Sequence, residues 1–203
     1  MIEVCDYCDM VVQEGKKMAS LYFKYGVMGA AKSAELLTTK YRYEETGQKV
    51  MCIKADKDTR DGDCIIKSRL GLSAKASNVS EIIGKSKSYF SGYSIILVDE
   101  AQFCTTEEID LFAKIVDEYN VPVICYGLKT DFQNHLFEGS KRLLEIADNI
   151  SEIRTVCWCG KKAICNARYN ESGIVKDGEQ ILLGANDQYV SLCRKHYNAG
   201  MIR

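Results

Sequence analysis

The stretch FKYGVMGAAKSAELL, residues 23–37, decides how the rest of the chain is read. An apolar run, ASLYF (19–23), leads into it, and a helical pattern, KSAELLTTKYRYEETG (32–47), leads out, with Gly47 as its stop. Between them Gly26, Lys32 and Ser33 stand in the spacing G-x-x-x-x-G-K-S. In a strand–loop–helix setting, the N–H groups of such a loop and of the helix start converge on one spot and favour an anion there. Lys32 would then reach the outer phosphates and Ser33 a Mg²⁺ ion. Ala31 occupies the position of the second glycine. If that position needs a left-handed backbone, its methyl group costs about 1–2 kcal/mol. The competing reading is an ordinary strand–turn–helix with an exposed lysine.

Outward from the loop, short β-branched runs alternate with helical patterns. KVMCIKA (49–55), SIILVDE (94–100) and VPVICYG (121–127) read as strands buried on both faces. Residues 105–119 read as a helix: Thr105 and Glu108 fit a capping box, and Ile109, Phe112, Ala113 and Val116 share a face. Buried strands separated by helices predict an α/β fold with a parallel sheet and right-handed crossovers. After about residue 150 the pattern changes to turn signals and clustered cysteines, which predicts a small β-rich lobe in need of a staple. The division expected is a leader at 1–18, a nucleotide-binding α/β domain at 19–150 and a metal-held lobe at 151–203.

With 46% hydrophobic and 27% charged residues in 203, the chain supports a packed core and argues against disorder. A net charge of −1 creates no field that would draw in nucleic acid or an anionic membrane. The N-terminus, MIEVCDYCDM, is acidic and lacks a signal-peptide core, so a cytoplasmic protein is expected, without membrane or nucleic-acid partners. Ten cysteines in a reducing compartment do not imply a disulfide framework.

Two further motifs carry chemistry. IILVDEAQF (95–103) delivers Asp99 and Glu100 at the carboxyl end of an apolar strand, where a parallel sheet collects its ligand chemistry. Side chains alternate along a strand, so the two acids differ in role if the strand persists through both. One can serve the Mg²⁺ and the other the acceptor; the bland alternative is a pair of solvated acids. CWC (157–159) and CRKH (193–196) offer Cys157, Cys159, Cys193 and His196 as a closed tetrahedral site for structural Zn²⁺. The C-x-C half is tighter than usual, Cys165 is a competing thiol, and buried cysteines or a redox pair remain as other readings. Cys5 and Cys8 form a C-x-x-C with no second half nearby.

Taken together, GVMGAAKS (26–33), DKDTR (56–60), LVDEAQF (97–103), YGLKTDF (126–132), CWCGKKA (157–163) and LLGANDQYVSLCRKHY (182–197) resemble, in order, the type II thymidine kinases, the cytosolic zinc-containing kind. The likeness covers about 19–197. It implies a RecA-like P-loop domain with a zinc-stapled lobe carrying a lasso over the nucleoside. ATP would lie on Gly26, Val27, Met28, Gly29, Ala30, Ala31, Lys32 and Ser33, with Asp58, Arg60, Asp99 and Gln102 also on the phosphate side. Glu100 matches the general base for the thymidine 5′-hydroxyl, and Ser33 and Asp99 match the Mg²⁺ side. Phe132, Phe137, Leu182, Leu183, Gly184 and Tyr189 match the thymidine pocket. The resemblance also implies a homotetramer inhibited by dTTP. The family has proline where Val27 stands, a change expected to have little effect, and glycine where Ala31 stands, from which weakened ATP binding is expected. Two rival readings are a catalytically impaired nucleotide-binding relative, acting as a sensor or assembly partner, and a helicase-type motor.

Overall fold

The computed structural model describes residues 18–57, 64–180 and 189–203. In chain order they form β1 (Leu21–Tyr25), α1 (Lys32–Glu45), β2 (Val50–Lys54), β3 (Ile65–Lys67), β4 (Ser73–Lys75), β5 (Ser77–Asn78), α2 (Val79–Ile82), α3 (Lys87–Phe90) and β6 (Ile95–Asp99). There follow α4 (Thr106–Tyr119), β7 (Val123–Gly127), α5 (Glu138–Ile146), β8 (Asn149–Glu152), β9 (Cys165–Asn170), β10 (Gly173–Ile174), β11 (Tyr189–Leu192) and α6 (Arg194–Asn198).

The main sheet has six strands in the order β5-β2-β6-β7-β1-β8, every pair parallel. Its central strands are continuously apolar because both faces are covered. On β6, Ile96 and Val98 enter one core with Ile109, Phe112, Ile115 and Val116 of α4. Ile95 and Leu97 enter the other with Leu36 and Leu37 of α1. The predicted capping box holds: Thr105 N–H donates to Glu108 Oε2 (2.9 Å), and Glu108 N–H donates to the Thr105 hydroxyl (3.3 Å). The parallel arrangement sends every strand's carboxyl end to one edge. The glycine loop, the acids of 99–100 and the loop after β7 therefore meet there.

β8 runs across position 150 and pairs with β1, closing the main sheet at Glu152. Beyond it, β10-β9-β11 form a separate antiparallel sheet. Cys157, Ala163, Cys165, Ala167, Leu192, Cys193 and Tyr197 make its core, and Val27 of the glycine loop packs against it. The lobe is β-rich, as expected, and its short helix α6 places His196 one turn from Cys193. Among the described residues no helix is long and apolar enough to cross a membrane.

Candidate active site

A cavity of about 430 Å³ opens at the carboxyl edge of the main sheet, and residues of both phosphate-side motifs line it: Ala31, Lys32 and Ser33 on one side, Asp99, Glu100 and Gln102 on the other. That volume suits a small-molecule ligand. Around the loop, two glycines have different reasons to be glycine. A Cβ on Gly26 would sit 2.6 Å from the Ile153 carbonyl oxygen, so this position needs space. Gly29 has φ +75° and open surroundings, so it needs conformational freedom instead. Ala31 adopts φ 62°, ψ 29° as the residue that opens α1. The left-handed backbone foreseen for it is real, and an L-residue bears the cost. Val27 is not among the positive-φ residues. Lys32 is buried, and its ammonium donates to the carbonyl oxygens of Gly26 and Val27, both at 3.1 Å.

The strand does not persist through both acids. β6 stops at Asp99, and Glu100 turns off with φ 52°, ψ 37°. This kink, rather than strand alternation, separates the two carboxylates while leaving both on the cavity wall. Asp99 is buried and accepts the Glu100 N–H (3.1 Å). Burial, and secondarily the charge of Glu100, push the Asp99 carboxyl above its ordinary range; the Ser33 hydroxyl and the Lys32 charge pull the other way. A buried acid so disposed gains from a cation. Gln102, buried, donates from Nε2 to Glu100 Oε2 and accepts the Leu128 N–H at Oε1 (2.9 Å). Its amide is thus occupied in holding Glu100 and the end of β7. Lys54, directly beside Asp99 in the β2–β6 register, is a further buried cation on the cavity wall.

The far end of the cavity is aromatic. Phe132 and Phe137 are buried there, with Phe137 edge-on to Phe103 at 5.7 Å. Arg168 lays its guanidinium 3.8 Å from the Phe132 ring centre and donates to the Tyr189 hydroxyl (2.9 Å) and to the Gln180 carbonyl (3.3 Å). Asp131 accepts from Gln180 Nε2 (2.8 Å) and from the amides of Gln133 and His135.

In the small lobe, the ligand atoms of Cys157, Cys159, Cys193 and His196 all lie within 4.8 Å of one another. The Cys159 and Cys193 sulfurs are 3.9 Å apart, and Cys157 Sγ is 3.4 Å from His196 Nδ1. Zinc–sulfur bonds of about 2.3 Å at tetrahedral angles put sulfurs about 3.8 Å apart, so the donor set fits Zn²⁺. Cys165 is buried outside the group, which removes it as the competing thiol. The Trp158 indole lies flat on the His196 ring, 4.2 Å between centres and 5° from parallel.

The sequence profile described as "Thymidine kinase" matches residues 19–197. The chain belongs to the thymidine kinase family. It is 48% identical over 187 residues to the "Thymidine kinase" of Enterobacteria phage T4, spanning 89% of this chain and 96% of that protein. Against the "Thymidine kinase" of Lactococcus lactis the identity is 45% over 184 residues, with 89% and 97% covered. Against that of Streptococcus gordonii it is 44% over 184 residues, with 89% and 96% covered. Among solved structures, the Pif1 helicase from Candida albicans overlaps with TM-score 0.41 at 13% identity, over 77% of this chain and 41% of the helicase, too loosely to bear on function.

Thymidine kinase membership accounts for six motifs at once, and the expectations drawn from them can be placed. Residues 26–33, Asp99, Glu100, Gln102, Phe132, Phe137 and Tyr189 surround or adjoin one cavity. Asp58, Arg60, Leu182, Leu183, Gly184, Cys5 and Cys8 lie outside the described residues. Lys54, Asp131, Asn166, Arg168, Gln180 and Ser191 were not anticipated. Lys54 left one clue, a lysine inside the otherwise apolar run VMCIKA (50–55).

Proposed function

We propose that this chain transfers the γ-phosphoryl group of ATP to the 5′-hydroxyl of thymidine, giving dTMP and ADP. The observation that carries the reading is the shared lining of one cavity by Lys32 and Glu100, at the carboxyl edge of a parallel sheet. Phosphoryl transfer asks chiefly for alignment and for neutralisation of charge on the moving group. Residues 26–33 hold the donor, and Lys32 exchanges its loop carbonyls for phosphate oxygens. By the family likeness, Asp58 and Arg60 take part in binding the phosphates. Ser33 and Asp99 would hold a Mg²⁺ ion, whose charge offsets that of the phosphates. The Glu100 carboxylate accepts the 5′-hydroxyl proton as the sugar oxygen bonds to the γ-phosphorus and the bond to the β-phosphate oxygen breaks.

By the family likeness, Phe132, Phe137, Leu182, Leu183, Gly184 and Tyr189 take the thymine ring, largely through backbone hydrogen bonds, a carbonyl accepting its N3–H. Cytosine lacks that proton and leaves the acceptor unpaired, so deoxycytidine is rejected. Cys157, Cys159, Cys193 and His196 would hold a structural Zn²⁺ that fixes the lobe carrying these residues. The same reading carries cytoplasmic residence, a homotetramer and inhibition by dTTP.

ADP release measured with thymidine, with deoxycytidine and without acceptor tests the proposal. Only thymidine should support it, and Glu100→Gln should lower kcat by about 10²–10⁴-fold with both ligands still bound. Full activity of Glu100→Gln would remove the base assignment, and acceptor-independent release would remove the kinase reading.

A further inference from the structure

The small lobe grips the donor loop by its backbone. Asn166 Oδ1 accepts the Met28 N–H (2.8 Å), and the Ser191 hydroxyl donates to the Met28 carbonyl. Asn166 and Ser191 are direct cross-strand partners on β9 and β11, so both bonds come from one rung of the small sheet. Asn166 is 2% exposed and its amide nitrogen donates to the Thr130 carbonyl (2.9 Å), which leaves it no freedom to turn. Beside Met28, the Val27 side chain packs against the lobe's own core. The middle of a loop offered to phosphates is therefore fixed by a different sheet, through both polar groups of one peptide residue.

The same ladder reaches the other end of the cavity. Tyr189 and Arg168 are the pair two residues along it, and Arg168 stacks on Phe132. A short two-stranded beam thus touches the donor loop at one rung and the aromatic pocket at another.

We propose that Asn166 and Ser191 are positioning residues for the donor site: they set the shape of the glycine loop, and through them the metal-held lobe determines ATP affinity. The inference rests on the kinase reading for the identity of the ligand. It explains why a loop bearing a left-handed alanine holds its shape, since the shape is imposed from outside the loop.

The test compares Ser191→Ala, Asn166→Ala and the conservative Ser191→Thr with the unaltered full chain. ATP KM and thymidine KM are measured together with direct binding of a fluorescent ATP analogue. Loss of one such bond is expected to raise the ATP KM and the analogue Kd about five- to tenfold. Thymidine KM should stay within twofold and Ser191→Thr should return both ATP values to near the starting level. Unchanged ATP values in both alanine variants would overturn the proposal. So would a parallel rise in both KM values with a matching fall in Tm, which is what general loosening gives. If the unaltered chain shows no thymidine-dependent ADP release, the kinase reading fails, and the analogue Kd still decides the clamp: a rise in Ser191→Ala supports it and an unchanged value removes it.

Discussion

Gln102 holds Glu100. Its amide nitrogen donates to the Glu100 carboxylate, and its amide oxygen is fixed by the Leu128 N–H at the end of β7. Glu100 has left the strand through a positive φ, so no ladder partner steadies its backbone direction, and the neighbouring amide supplies that constraint instead. Gly127 leaves room for this arrangement, because a Cβ there would lie 2.7 Å from Gln102 Oε1.

Gln102→Leu keeps the bulk and removes both bonds. Catalytic alignment suffers while donor binding does not, so kcat should fall about 10- to 100-fold with ATP KM near its starting value. Steady-state kinetics with ATP and thymidine decide it; a Gln102→Leu enzyme with unchanged kcat would show that Glu100 needs no such support.

Ala31 and Gly26 should respond in opposite directions. Ala31→Gly relieves an exposed left-handed alanine on the cavity wall, and part of the gain is lost to the freer unfolded chain. A net rise in stability of about 0.5–1 kcal/mol and tighter ATP binding are expected. Gly26→Ala drives a methyl group into the Ile153 carbonyl at 2.6 Å and the Ala30 methyl at 2.9 Å, so Tm and ATP affinity should both drop. Denaturant melts and ATP titrations of the two variants check the pair; weaker ATP binding in Ala31→Gly would end the strain argument.

Metal content separates the four-ligand group from the spare thiol. Cys193→Ser should lose bound zinc and lower the Tm, because the lobe's compact core is built around the ligands themselves. Cys165→Ala, just as buried and outside the group, should retain one zinc per chain by elemental analysis. Equal zinc loss in both would mean that the thiol set is wrong.

The middle of the main sheet was legible because β2, β6 and β7 are apolar runs between clear stops. Asn120 in a left-handed C-cap and Pro122 just before β7 punctuate one of them. The first strand was placed two residues early. The apolar run ASLYF ends at Phe23, whereas Lys24 and Tyr25 continue the strand by pairing with both β7 and β8. Glu100 looked like a strand residue because nothing in IILVDEAQF signals a positive φ; no glycine or asparagine stands there. That Cys157, Cys159, Cys193 and His196 come together was readable from cysteine and histidine spacing. Asn166 and Ser191 were not, since each is an ordinary polar residue in a short strand. Met28 lies 138 residues from Asn166, so only the folded chain brings them together.

Trp158 is the single tryptophan of the chain, and it rests face to face with a ring proposed to bind zinc. The molecule consequently carries its own optical gauge. Tryptophan emission, excited beyond the absorption of the twelve tyrosines, reports one location alone and needs no label. Extraction of the ion by a chelator should register as a change in that single signal, and its time course would give the release rate directly.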